Sequence, residues 1–149
     1  MRTRQSQRSD IQLGSHSTAA WIYRGDPHQR PLLMVHGFRG DHHGMDLIAG
    51  SITDREVIVP DLPGFGLTAA LDAGSSLSAF VDHLVALRAE IARQSGVTPI
   101  LVGHSFGSIL VSHLAASHRD SADELVLINP ITSPALEGPA RFQIGRAFV

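Results

Sequence analysis

The stretch Pro99–Gly107, with the sequence PILVGHSFG, decides how this chain folds. An apolar strand pattern leads into Gly-x-Ser-x-Gly, with Ser105 at its centre, and a helical pattern begins straight after it. Small residues on both sides allow the serine to occupy a very tight turn with strained backbone angles. The following helix directs its first N–H groups and the positive end of its dipole towards that turn. The stretch therefore predicts a strand–turn–helix unit with Ser105 as candidate nucleophile, the alternative being a serine that only caps the helix.

Two further segments have the same form, an apolar strand followed by a loop of small residues. Leu32–Val35 precedes His36–Gly40, and Val57–Pro60 precedes the glycine- and proline-rich Asp61–Gly66. Runs that are apolar throughout are typical of strands buried on both faces of a parallel sheet. With the three motifs in this order, the chain resembles the α/β-hydrolase family over roughly Ala20–Pro130. The resemblance is to the branch that has a single His-Gly at its oxyanion loop.

This resemblance implies roles for individual residues. Ser105 would be the nucleophile, and the backbone N–H groups of Phe38 and Phe106 would form the oxyanion hole. The rings of both phenylalanines would pack, and can also wall an acyl pocket. In the family, the position of Asp61 braces the loop that follows it. Arg39 could meet an anionic substrate, although a solvated loop arginine is its more ordinary role. Supporting positions are His36, Gly37, Gly103, His104 and Gly107.

The resemblance does not locate a catalytic acid or base in this chain. The family's order is serine, then Asp or Glu, then His. Asn129 follows the last predicted strand, where some members of the family carry the acid. Neither histidine after the serine follows a late strand, so we expect both partners to lie beyond Val149. The carboxylates after Ser105 are Asp120, Asp123, Glu124 and Glu137, and the histidines are His113 and His118.

Alternation of strands and helices predicts an α/β fold, a doubly wound, mostly parallel sheet in three layers. We expect residues 1–149 to form one partial domain, with a core over about residues 10–130. Residues 131–149 are expected to begin an inserted lid, because Ala140, Ile144 and Phe148 recur at helical spacing. A short leading hairpin, a helix from near His43 to about Ile52 and a long helix between Ser76 and Gly96 complete the prediction.

Composition excludes several classes of function. The net charge is −2, all 12 basic residues are arginine and there is no cysteine. These values argue against a nucleic-acid surface, a P-loop or Schiff-base lysine, and a thiolate metal site. No stretch has the length of a membrane span or the pattern of a signal peptide, so a cytoplasmic location is the default. No cofactor is expected, and no metal either, because the adjacent His42 and His43 should point apart.

The functional hypothesis is a serine hydrolase acting on an ester or related acyl substrate, inactive as this chain alone. A serine nucleophile disfavours dehalogenases and epoxide hydrolases of this fold, which use aspartate. Two alternatives stay open. One is a non-catalytic, truncated hydrolase that binds a partner or a small ligand, and its exposed edge strand Leu125–Ile128 would favour self-association. The other is an acyltransferase, perhydrolase or carbon–carbon bond hydrolase on the same fold.

Overall fold

The computed structural model describes residues 4–118 and 124–131, which form one six-stranded sheet with helices on both faces. The strand order is β1-β2-β4-β3-β5-β6. The pairs β1–β2 and β2–β4 are antiparallel, whereas β3–β4, β3–β5 and β5–β6 are parallel. The predicted mostly parallel sheet is therefore confirmed. The strands are β1 Gln7–Leu13, β2 His16–Tyr23, β3 Leu32–Val35, β4 Val57–Pro60, β5 Ile100–His104 and β6 Leu125–Ile128.

Two apolar layers cover the sheet. On one face, α2 (Leu77–Ser95) and α3 (Phe106–Ser117) pack against side chains such as Leu33 and Val35. On the other face, Met45 and Ala49 pack against the alternate side chains of the same strands. Because successive strand residues point to opposite faces, a strand that is apolar throughout serves both layers. This arrangement confirms the α/β/α layering.

The ends of α2 follow the predicted capping signals. The Ser76 hydroxyl accepts a hydrogen bond from the Ala79 N–H at 3.1 Å, and Gly96 adopts a left-handed conformation with φ 78°. Such caps satisfy backbone groups that have no partner inside the helix. In the described part of the chain, no helix is both long and apolar enough to cross a membrane.

Some predicted boundaries are wrong. The leading hairpin is longer than its apolar residues indicate, since β1 already begins at Gln7. The helix expected from near His43 is two elements, a 3-10 helix His42–Met45 and α1 Asp46–Ser51. The Asp41 side chain caps the first turn by accepting from the His43 N–H, which favours a tight start. The predicted lid, apart from Ile131, lies outside the described residues.

Candidate active site

Ser105 sits in a strained turn between β5 and α3. Its φ is 51° and its ψ is −114°, a conformation that L-residues rarely adopt. Its N–H donates to the Ile128 carbonyl at 3.1 Å, which ties the turn to β6. The side chain makes no cap hydrogen bond, so the alternative of a helix-capping serine is wrong. The half-buried hydroxyl has no hydrogen-bond partner among residues 4–118 and 124–131.

Close backbone approach requires both glycines of this turn. A Cβ on Gly103 would lie 2.7 Å from the Ser108 Cα, and a Cβ on Gly107 would lie 2.8 Å from the His36 carbonyl oxygen. Real Cβ contacts essentially never come this close. The glycines therefore let α3 start directly against β3 and β5, which brings Ser105 beside the loop that follows β3.

That loop is a tight turn over Gly37–Gly40. The Gly40 N–H donates to the Gly37 carbonyl at 3.1 Å. A Cβ on Gly37 would lie 3.4 Å from the Ser105 Cβ, so the two turns are in contact. Phe38 follows Gly37 in this turn, and Phe106 is the first residue of α3. Both backbone amides predicted for the oxyanion hole therefore belong to the turns that meet at Ser105.

The buried ring of His36 joins two loops. Its Nε2 accepts from the Leu62 N–H at 3.0 Å, so Nδ1 carries the proton and donates to the Gly37 carbonyl at 2.8 Å. Burial lowers the pKa of His36 below its usual value, while the Gly37 carbonyl and Asp61 act in the opposite direction. Both nitrogens are engaged and the ring is neutral near pH 7, so His36 is suited to positioning rather than to proton transfer.

Asp61 lies fully buried below the same turn. Its Oδ1 accepts from the His42 N–H and faces the His42 Nδ1 at 3.0 Å, and its Oδ2 accepts from the Leu67 N–H at 2.8 Å. Gly66 leaves the space that this carboxylate fills. The His42 ring also stacks on Trp21, with a centroid separation of 3.3 Å. Asp61 thus holds the loop after β4 by hydrogen bonds, and all its described contacts are structural.

The expectation that His42 and His43 point apart is wrong. Their ring centroids are 3.9 Å apart. With Asp41 they form a group whose ligand atoms lie within 4.8 Å of one another, a spacing that could hold a metal ion. However, the His42 Nδ1 faces Asp61 and the His43 Nδ1 faces Asp41 at 3.1 Å. These hydrogen bonds explain why the three side chains lie close together, since they stabilise the loop.

Four phenylalanines form a closed ring of aromatic contacts beside Ser105, three of them edge-to-face and one tilted. The ring centroid of Phe38 lies 5.6 Å from that of Phe106 and 5.9 Å from that of Phe65. The ring centroid of Phe80 lies 5.9 Å from that of Phe106 and 6.3 Å from that of Phe65. Phe106 is buried, whereas Phe38 is 41% exposed. Such pairs stabilise one another beyond the area they bury. The cluster gives the site an apolar wall, with Phe38 at its outer rim.

His104, His113 and His118, the remaining histidines near the sequence motif, make no hydrogen bond with the Ser105 hydroxyl among the described residues. His104 precedes Ser105, and its Nδ1 lies 3.4 Å from the position of a Cβ on Gly37. His113 is exposed two turns along α3, about 12 Å along the helix axis from Ser105. His118 follows the end of α3. A base for Ser105 is therefore absent from these positions.

Sequence reasoning missed the role of Ser108. Its buried hydroxyl donates to the Ser105 carbonyl at 2.5 Å and accepts from the Ile131 N–H at 3.3 Å. It thereby links the strained turn to the segment after β6. Asn129 in that segment has φ 47°, which asparagine tolerates better than most residues. A serine three residues after the nucleophile position was the only available signal.

Comparison with known proteins identifies the family of the chain. The family described as alpha/beta hydrolase fold matches residues 30–148. The chain belongs to this family. "Probable serine hydrolase" of Drosophila melanogaster is 25% identical over 122 residues, 81% of this chain and 37% of the relative. "Lipase LipV" of Mycobacterium tuberculosis is 32% identical over 107 residues, 72% of this chain and 39% of the lipase.

The fold is also shared with solved structures. An alpha/beta hydrolase from Novosphingobium aromaticivorans superposes with a TM-score of 0.75 at 19% identity, over 99% of this chain and 51% of that chain. At this identity the likeness concerns the fold alone. The chain spans about two-fifths of the length of the two curated relatives above. Family membership is therefore shown for residues 30–148 of a chain that is shorter than these relatives.

Proposed function

We propose that the chain carries the nucleophile half of a serine hydrolase for an ester or related acyl substrate. The observation that supports this most directly is the conformation of Ser105. A non-glycine residue at φ 51° is disfavoured, and among the described residues its hydroxyl makes no hydrogen bond that would explain this conformation structurally. Relatives named as a serine hydrolase and a lipase favour the same chemistry.

In the proposed reaction, the Ser105 Oγ attacks the acyl carbon and its proton passes to a base. The backbone amides of Phe38 and Phe106 stabilise the oxyanion, each typically worth ~3 kcal/mol in such sites. Collapse of the intermediate expels the alcohol and leaves an acyl-serine, which water then hydrolyses. In this proposal Ser105 is the nucleophile and the two turns beside it hold the oxyanion, and no base or acid is assigned among the described residues.

Without its base, a serine triad loses on the order of 10⁶ in turnover. We therefore expect the 149-residue chain to react slowly but at one site. The test is incubation with a fluorophosphonate probe, followed by peptide mass spectrometry and a time course. Slow modification of Ser105, absent from Ser105→Ala and unchanged in the exposed-serine control Ser17→Ala, supports the proposal. No modification of Ser105 contradicts the nucleophile assignment, and rapid modification contradicts the expected inactivity.

A second candidate is a binding role through the edge strand β6. Leu125, Val126 and Leu127 are 41%, 48% and 39% exposed, so apolar groups face outward on both faces of this strand. An unpaired apolar edge favours pairing with another chain. We propose a second copy of this chain as the partner, and the assembly test below addresses it.

A further inference from the structure

Arg39 occupies a backbone position that disfavours its side chain. It is the third residue of the Gly37–Gly40 turn, with φ 58°. A positive φ at this position defines a type II turn, which favours glycine or asparagine there. A larger L-residue in the left-handed region costs about 1 kcal/mol. The turn conformation therefore gives no reason for an arginine at this position. Residues held in a backbone conformation that is unfavourable for them are concentrated at functional sites.

The guanidinium lies at the rim of the candidate site. The Arg39 Cζ is 5.8 Å from the centroid of the Phe38 ring. That ring packs on Phe106, the residue after Ser105. A cation held over an aromatic face is attracted by the ring quadrupole, which fixes the exposed side chain next to the apolar wall. The Phe38 ring thus separates the positive charge of Arg39 from Phe106, the residue that follows Ser105.

No described carboxylate neutralises this charge. Asp41 accepts from the backbone N–H and ring of His43, and the buried Asp61 is held by His42 and Leu67. His36 is neutral because burial lowers its pKa. Among residues 4–118 and 124–131, Arg39 forms no ion pair, so this rim presents a positive charge to an incoming ligand.

We propose that Arg39 is a specificity-determining residue, which binds a carboxylate on the acyl group of the substrate. This proposal rests on the proposed function, because it places the scissile carbonyl at Ser105. The substrate class would be half-esters of short dicarboxylic acids, whose apolar spacer lies along the Phe38 ring. A guanidinium can bind a carboxylate through two parallel hydrogen bonds, which favours arginine over a simple point charge.

Binding can be tested without turnover in a Ser105→Ala background. The probes are monomethyl succinate, which is anionic, and dimethyl succinate, which is neutral. Each is titrated into isotope-labelled protein, and binding is followed by NMR from the chemical shifts of the backbone amides. We expect the parent to prefer the monoester about fivefold, which corresponds to ~1 kcal/mol. The preference should disappear in Arg39→Gln, persist in part in Arg39→Lys and weaken with added salt. Arg24→Gln, in an exposed ion pair with Glu56, is the matched control and should leave it unchanged.

Stability provides the second readout. If Arg39 serves binding rather than folding, Arg39→Gly should unfold at the same urea concentration as the parent or a higher one. A clear loss of stability in Arg39→Gly, an equal preference in Arg39→Gln, or no saturable binding of the monoester overturns the proposal. Fluorophosphonate labelling separates the two proposals. Labelled Ser105 without a monoester preference rejects only the role of Arg39, and a preference without labelling rejects only the nucleophile.

Discussion

The two edge strands of the sheet differ sharply in character. β1 is largely polar and exposed along its length, and Arg8 and Asp10 form an ion pair at 2.9 Å on its surface. β6 is entirely apolar, yet Leu125–Leu127 are exposed. Charged side chains on an edge strand discourage pairing with other chains, and apolar ones do not. Among the described residues, β1 therefore carries charges that discourage pairing at its edge, whereas β6 carries none.

The first prediction concerns assembly through the edge strands. Val126→Lys places a charge on β6, and its burial in a β6–β6 contact without a partner costs ~2 kcal/mol or more. We expect self-association of the parent, and an association constant at least about tenfold weaker in the variant. Sedimentation velocity over a concentration series measures this. Gln12→Lys introduces the same charged side chain on the opposite edge strand, β1, and should leave association unchanged.

A parent chain that sediments as a monomer at all concentrations, with one cooperative melt, contradicts the contrast between the edges. Equal weakening by Val126→Lys and Gln12→Lys would place the contact elsewhere on the molecule. Either outcome also removes the proposed second copy as the partner of β6.

The next effect compares two glycines in different surroundings. Gly107, in the first turn of α3, lies against the backbone of β3, whereas Gly14 in the β1–β2 turn has open space around it. Gly107→Ala should destabilise the fold by more than ~3 kcal/mol, because backbone atoms cannot move aside. Gly14→Ala should cost only about 1 kcal/mol, since its φ of 60° is the sole penalty.

Urea unfolding of the two variants gives this comparison directly. Equal free-energy losses would show that the close approach at Gly107 is relaxed at little cost, and would weaken the geometric account of the Ser105 turn. If Gly107→Ala does not accumulate as folded protein, Gly103→Ala replaces it, because a Cβ there meets the Gly107–Ser108 backbone.

The sequence predicts the β6 half of the molecule better than the β1 half. Apolar runs such as Ile100–Val102 predict buried strands, and Ser76 and Gly96 are residue types typical of the two ends of a helix. The first residues of β1, by contrast, are polar, and only pairing with β2 makes them a strand. Local pattern cannot reveal such a tertiary effect.

The same limit applies inside the candidate site. The Gly-x-Ser-x-Gly spacing predicts the strained turn at Ser105, because the requirement for small neighbours is local. The stack of His42 on Trp21 joins residues that are distant in sequence, and the placement of Arg39 over Phe38 depends on the turn conformation. Neither leaves a periodic signal in the sequence, so the structure was needed to find them.

The third prediction is a pH dependence of stability on the β1 side of the molecule. His83 on α2 is 7% exposed and pairs with the Thr18 hydroxyl of β2 at 3.0 Å. Burial first, and then His16, lower the pKa of His83 from 6.5 to about 4. Between these values the unfolded chain binds more protons than the folded one, so stability falls as the pH falls. The loss attributable to His83 approaches ~3 kcal/mol at pH 4.

Urea unfolding between pH 4 and pH 7, compared for the parent and His83→Gln, isolates this contribution. The variant should be less stable at pH 7, where it loses a fitted ring, but its stability should fall less steeply towards acid. His36 acts in the same direction because its pKa is also lowered, so some slope will remain in the variant. The exposed His28→Gln control should keep the slope of the parent. Parallel profiles for the parent and His83→Gln would mean that His83 gains a proton without loosening the packing of α2 on the β1–β2 side.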